Sequence, residues 1–282
     1  MQRAGVPNAT TNPEPGGDVF VSPWDTAAEA VVEKDVLQRP SGRRMLVGEP
    51  RPNLSWSSRW RERCVASSSA DPVLLEQFRR MAAVLNNAQA TNGVRAIMLT
   101  SAAQGDGKTS TALNLALVLS ESYQHKVLLI DADLRRPSLG GMLDFSDGPG
   151  LGEALKAQTE QKLSVMQITP TFTLLPGGRP DPDPMRGLTS PRMRHILEEA
   201  REQFDWVIVD APPMGPAADA QFLAEMVDAV VFVIRAGHTK HADVEKAISN
   251  LGRERILGIV LNGVDQVPGQ LYYGALRDNE KA

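Results

Sequence analysis

Lys108 and Thr109 close the stretch TSAAQGDGKTST, residues 100–111, in which two glycines precede a lysine and a threonine. Those residue types at that spacing can hold a triphosphate. Gly105 and Gly107 permit a tight turn and let backbone N–H groups approach phosphate oxygens. Lys108 would bridge the β- and γ-phosphates, and the Thr109 hydroxyl would ligate Mg²⁺. Asp106 and Ser110 complete the expected nucleotide-binding set. The stretch departs from the usual phosphate loop at its start, where Ala102 stands in place of the first glycine. Three acids extend the pattern. Asp131 and Asp133 lie in DADLRRP directly after the run KVLLI, and Asp210 opens DAPP directly after WVIV. Mg²⁺ prefers oxygen and is usually held by few carboxylates plus phosphates and waters. The three acids are therefore an expected Mg²⁺ shell. An Asp at a strand end can also be no more than a helix cap, and the nearby loop weighs against that.

These residues need particular elements to position them. A phosphate loop must follow a strand and open a helix, whose N-terminus adds positive potential. VRAIMLT (94–100) reads as that strand and 108–122 as that helix. Further strands are expected at 126–131, 172–176, 205–210, 229–234 and 256–262, and helices at 71–89, 150–157, 190–203, 217–226 and 240–252. Asp71-Pro72 is a helix-start signal. The strands are continuous Val/Ile/Leu runs, as expected when helices cover both faces of a sheet. Alternating strand and helix indicates an α/β fold with a mainly parallel sheet. Acids at the carboxyl ends of such strands point into the crevice where ligands bind. The fold class expected is thus an α/β P-loop NTPase. The strand order is not legible from one sequence.

Residues 1–70 read differently. They contain seven prolines and little periodic apolar pattern, and are expected to be largely disordered, with one short helix at 26–38. Residues 39–63 carry seven Arg against two Glu, and Trp56 and Trp60 sit among them. Two readings stay open for this stretch: a solvated linker, or a docking segment for an acidic partner or an anionic membrane surface. Residues 71–263 are the expected ATPase domain and 264–282 a flexible tail. Net charge −4 argues against a nucleic-acid-binding surface, and one cysteine, Cys64, excludes an internal disulfide. The N-terminus lacks an apolar signal region, and the apolar runs are strand-sized, well short of the roughly 20 residues a membrane span needs. A cytoplasmic chain is expected, with any membrane association made through a partner. His238 and His241 in HTKH fit a solvated helix start better than a metal site.

The three motifs together resemble the bacterial tyrosine kinases of capsule and exopolysaccharide synthesis, the cytoplasmic ATPase halves of polysaccharide co-polymerases. LLIDADLR matches the family's aliphatic-Asp-x-Asp-x-Arg motif with Asp131, Asp133 and Arg135. VIVDAPP matches its third motif, with Ala211 in place of the usual Thr or Ser. Ala102 fits the family's Gly-poor loop start, whereas Gln104-Gly105-Asp106-Gly107 stands where Pro-Gly-Glu-Gly is usual. The resemblance covers about residues 71–273. It implies ATP and Mg²⁺ as ligands, Asp131 as the acceptor of the tyrosine hydroxyl proton, and Asp133 and Asp210 as holders of Mg²⁺ through water. It implies an adenine contact at Asn262 and a C-terminal phospho-acceptor cluster, here Tyr272 and Tyr273. Tyr272 lies nine residues beyond Gly263, a reach of at most about 30 Å. Tyr123 reads as structural. The resemblance also implies a membrane co-polymerase partner and a peripheral place at the inner membrane. A shared ancestry with Min/Par-type partition ATPases follows too, but those carry a signature lysine where this chain has Ala103. The family's first helix carries Glu-x-x-Arg-x-x-Arg for ring assembly. Here Glu76 and Arg79 are followed by Ala82, which leaves a homo-oligomeric ring open. The expected function is a tyrosine autokinase, with a non-kinase ATP-dependent switch as the alternative.

Overall fold

The computed structural model describes residues 64–65, 71–142, 148–157, 163, 165–215 and 218–264. The expectations for 1–63, for 66–70 and for the tail with Tyr272 and Tyr273 lie outside the described residues.

Seven strands form one sheet in the order β3-β4-β2-β5-β1-β6-β7. They are β1 Ala96–Ser101, β2 Val127–Asp131, β3 Met166–Gln167, β4 Phe172–Leu175, β5 Trp206–Asp210, β6 Ala229–Arg235 and β7 Ile256–Asn262. All neighbours pair parallel except β3, which runs antiparallel to β4 at the edge. The central strands β1, β2 and β5 are buried at every position. Successive side chains point to opposite faces, so Ala96 and Met98 join one core while Ile97 and Leu99 join the other.

Helices α1 (Pro72–Asn92), α2 (Lys108–Glu121) and α3 (Leu139–Met142) cover one face. The other face takes α4 (Leu151–Lys156), α5 (Met185–Leu188), α6 (Pro191–Gln203), α7 (Asp219–Ala224) and α8 (His241–Leu251). Helix α1 starts where the Asp71 side chain accepts from the Val73 N–H with Pro72 in the first turn, and ends where Gly93 adopts φ 69°. Helix α2 is buried almost all round, from Thr111 to Ser120, because the sheet lies beneath it and α1 packs against it. A helix this apolar cannot face water, and its burial fixes the phosphate loop at its start.

Among the described residues no helix is long and apolar enough to cross a membrane. The two-residue strand β3, the single-turn helices α3 and α5 and a 3₁₀ turn at Arg253–Arg255 add to the elements expected from the sequence. Ala82 is fully buried beside Phe78 and Leu85 on the inner face of α1. Its position therefore supplies core packing, while Glu76 pairs with Arg80 on the surface at 3.6 Å.

Candidate active site

Asp131 and Asp210 end β2 and β5, the two strands pair directly, and the two aspartates face each other in register. Strand β1 lies on the other side of β5 and delivers the loop 102–107 to the same sheet edge. Both aspartates are fully buried. Asp131 Oδ2 accepts the N–H groups of Ser138 and Leu139, each at 2.9 Å. Its Oδ1 and both oxygens of Asp210 have no hydrogen-bond partner. Burial, followed by the charge of Asp210, pushes Asp131 up to about 7 against the pull of those two N–H groups. Burial likewise pushes Asp210 up to about 6, opposed by the Lys108 charge and the nearby Thr109 hydroxyl. That hydroxyl does not complete a hydrogen bond of good geometry to either Asp210 oxygen.

Lys108 opens α2 and is only 8% exposed. Its Nζ donates to Asp133 Oδ2 at 3.0 Å. Burial pulls its ammonium down, but Asp210, Asp133 and Asp131 together outweigh that and hold it above the ordinary lysine value. Three buried acids thus face one lysine. Such a net negative, partly unpartnered site calls for a cation.

The residues suit a hard divalent cation such as Mg²⁺. Among the described residues no three His, Cys, Asp or Glu side chains converge as a closed cage. Mg²⁺ seldom uses one, because it keeps several waters and takes phosphate oxygens beside one or two carboxylates. The orphaned oxygens of Asp131 and Asp210 are suitable acceptors for such waters.

The loop itself is built for an anion. Gly105 and Gly107 have φ 87° and 94°, a region L side chains avoid. A Cβ at Gly107 would lie 1.9 Å from Asn262 Nδ2. Among the described residues no hydrogen bond engages the N–H groups of Gly105, Asp106, Gly107, Lys108 or Thr109. Those groups at a helix start form an anion-binding concavity. The structure thus brings Gly105, Asp106, Gly107, Lys108, Thr109, Ser110, Asp131, Asp133 and Asp210 to one sheet edge. Asn262 sits behind the loop, with Nδ2 donating to the Asp106 carbonyl and Oδ1 accepting from Gly263 N–H.

Four supports hold these residues in place, and of them only Arg135 belongs to a motif named from the sequence. Gly177 packs so close that a Cβ would meet Pro137 Cβ at 2.7 Å and Asp131 Cγ at 3.3 Å. The Ser138 and Leu139 amides cap Asp131 from the start of α3. Arg135 turns away from the acids and pairs with buried Asp219 at 2.6 Å, tying the segment after β2 to α7. Thr239, after β6, donates to Asp106 Oδ1 at 2.7 Å. The segments LLPGGRPDPDP and AADAQF contain Gly177 and Asp219, and glycine pairs after a strand were the available hint. His241 is exposed and pairs with Glu245 at 3.5 Å, in keeping with a solvated helix start. Tyr123 donates to the Arg79 carbonyl and stacks on His125, a structural role.

A loop of this build, entering a buried helix from the middle of a parallel sheet, makes the chain a nucleotide-binding P-loop NTPase. The family model ParA, described as NUBPL iron-transfer P-loop NTPase, matches residues 93–267. The chain is 34% identical over 210 residues to tyrosine-protein kinase YwqD of Bacillus subtilis, covering 73% of this chain and 88% of YwqD. It is 33% identical over 196 residues to the succinoglycan biosynthesis transport protein ExoP of Rhizobium meliloti, covering 67% of this chain but 25% of ExoP. The chain thus spans about a quarter of that relative's length. Among solved structures, the kinase domain of the Escherichia coli tyrosine kinase ETK matches with TM-score 0.64 at 32% identity, covering 69% of this chain and 77% of that one. The chain belongs to the bacterial tyrosine kinase family.

Proposed function

We propose that the chain is a protein-tyrosine autokinase that moves the γ-phosphoryl group of ATP onto Tyr272 or Tyr273 and thereby regulates exopolysaccharide synthesis or export. The observation that carries the reading is the buried Asp131–Asp210 pair with orphaned oxygens beside the Lys108–Asp133 contact. Phosphoryl transfer needs positioning and charge neutralisation more than covalent help from the protein. The loop amides and Lys108 hold the phosphates. Thr109, Asp133 and Asp210 would hold Mg²⁺, which would supply charge neutralisation to the phosphates when bound. Asp131 accepts the tyrosine hydroxyl proton. The phenolic oxygen forms its bond to the γ-phosphorus as the bond to the β-γ bridging oxygen breaks, and ADP leaves. A carboxyl held near 7 is matched to proton transfer at neutral pH better than an ordinary one.

The named activity of YwqD and the transport role in the name of ExoP support this reading. They also support a membrane co-polymerase as partner and a place at the inner membrane through it. Mapping phosphate on the chain after incubation with Mg-ATP tests the reading, with Tyr272 and Tyr273 as the expected sites. A second reading is a nucleotide-operated switch without kinase activity. Ala82 favours it, since the third position of the ring-forming helix pattern is spent on core packing. Tight nucleotide binding with no phosphotyrosine formed would select the switch.

A further inference from the structure

We propose that Arg235, which ends β6, and Thr239, on the turn after it, are positioning residues that hold the phosphate loop in its anion-binding shape. The inference rests on the nucleotide site proposed above and assigns a role to residues outside its motifs. An anion sees a loop as attractive only when the N–H groups point inward and the carbonyls point away. Here two consecutive carbonyls are tied back from outside. Arg235 Nη1 donates to the Gly105 carbonyl at 3.2 Å, and Asn262 Nδ2 donates to the Asp106 carbonyl at 2.9 Å. The Asp106 side chain is fully buried. Its Oδ2 accepts the Ala103 N–H at 2.9 Å and its Oδ1 accepts the Thr239 hydroxyl at 2.7 Å. Thr239 Oγ1 in turn accepts the Arg235 N–H at 3.0 Å, and of the two acceptors within its reach Asp106 Oδ1 at 2.7 Å is nearer than the Arg235 carbonyl at 3.2 Å.

Asp106 is therefore the clasp of the loop. One oxygen closes the turn locally and the other joins it to an element 133 residues away in sequence. A buried carboxylate that loses a partner must find another or move. Without the Thr239 hydroxyl, Asp106 Oδ1 is left bare beside the place of a triphosphate. The loop then relaxes toward solvent, and the two tied carbonyls lose their fixed direction. The same tie makes the β6–α8 turn sensitive to whether an anion fills the loop.

The test compares wild type with Thr239→Val and Thr239→Ser. Two readouts are used: amide hydrogen exchange of residues 101–110 in the nucleotide-free chain, and affinity for a fluorescent ADP analogue with Mg²⁺. Thr239→Val should speed exchange across 103–107 several-fold and weaken the analogue about tenfold, the scale of one hydrogen bond to a charged group. Thr239→Ser, which keeps the hydroxyl, should restore both to within about twofold. Equal exchange in wild type and Thr239→Val would overturn the clasp, whatever the nucleotide result. Faster exchange with unchanged affinity would overturn its positioning role. Should Thr239→Val fail to fold, a Thr239→Ser chain differing from wild type in either readout would overturn the claim that the hydroxyl alone is needed. A wild-type chain that bound no analogue would count against the proposed function and this role together, while exchange would still decide the clasp.

Discussion

Replacing Asp131 by Asn should stabilise the nucleotide-free chain, and more so as pH rises. Asp131 is fully buried and its Oδ1 has no partner. Burial and the charge of Asp210 hold its carboxyl at about 7 against an ordinary 3.8. The folded chain therefore keeps a proton that the unfolded chain releases. Stability from this group is largest at acid pH and declines as pH rises from about 4 to about 7, then stays level. At ~1.4 kcal/mol per pH unit, the ionised group costs the fold on the order of 4 kcal/mol at pH 8. Asparagine keeps an oxygen for the Ser138 and Leu139 amides and removes the charge. Urea unfolding with a chelator present, at several pH values from 5 to 8, measures the effect. The variant should gain about 3 kcal/mol over wild type between pH 5 and pH 8. Added Mg-ADP should shrink the gain, because bound cation relieves the repulsion only where Asp131 is charged. A variant less stable than wild type at pH 8, or a difference that does not change with pH, would refute the electrostatic account of the site.

Other expectations follow from the supports of the site. Arg135→Ala leaves the buried Asp219 carboxylate without its cation and should cost roughly 2 kcal/mol in urea unfolding. Gly177→Ala drives a Cβ against Pro137 and Asp131; the strain should cost roughly 1–3 kcal/mol and slow phosphotyrosine formation. Lys108→Met strips the salt bridge from Asp133 and should abolish nucleotide-dependent phosphorylation, measured as the chain's mass after Mg-ATP.

The fold is legible where a strand carries a run of apolar residues, whether it lies in the buried middle of the sheet or, like β7, at its partly exposed edge. The sequence limits of β7 coincide with the observed ones and those of β1, β2, β4, β5 and β6 fall within a residue or two, because these strands are mostly apolar. β3 was not legible, since two residues paired at an edge make no run. α5 is a single turn and shows no helical period. The helix at 71–89 continues to Asn92 because only Gly93, in the left-handed region, ends it. The acids and the loop were legible because each sits where a strand ends. Their supports were not. Thr239, Asp219 and Gly177 act across 133, 84 and 46 residues of chain, and no local pattern marks which hydroxyl, acid or glycine will arrive there.

In the proposed reaction Asp131 takes the proton from a tyrosine as phosphate is transferred. Phosphotyrosine formation in one turnover, with ATP affinity measured in parallel, tests it most directly in wild type and Asp131→Asn. Asp131→Asn should keep affinity within a few-fold of wild type and reduce the rate at least ~100-fold, the usual contribution of a general base. An Asp131→Asn chain that phosphorylates its tyrosines at the wild-type rate would contradict it.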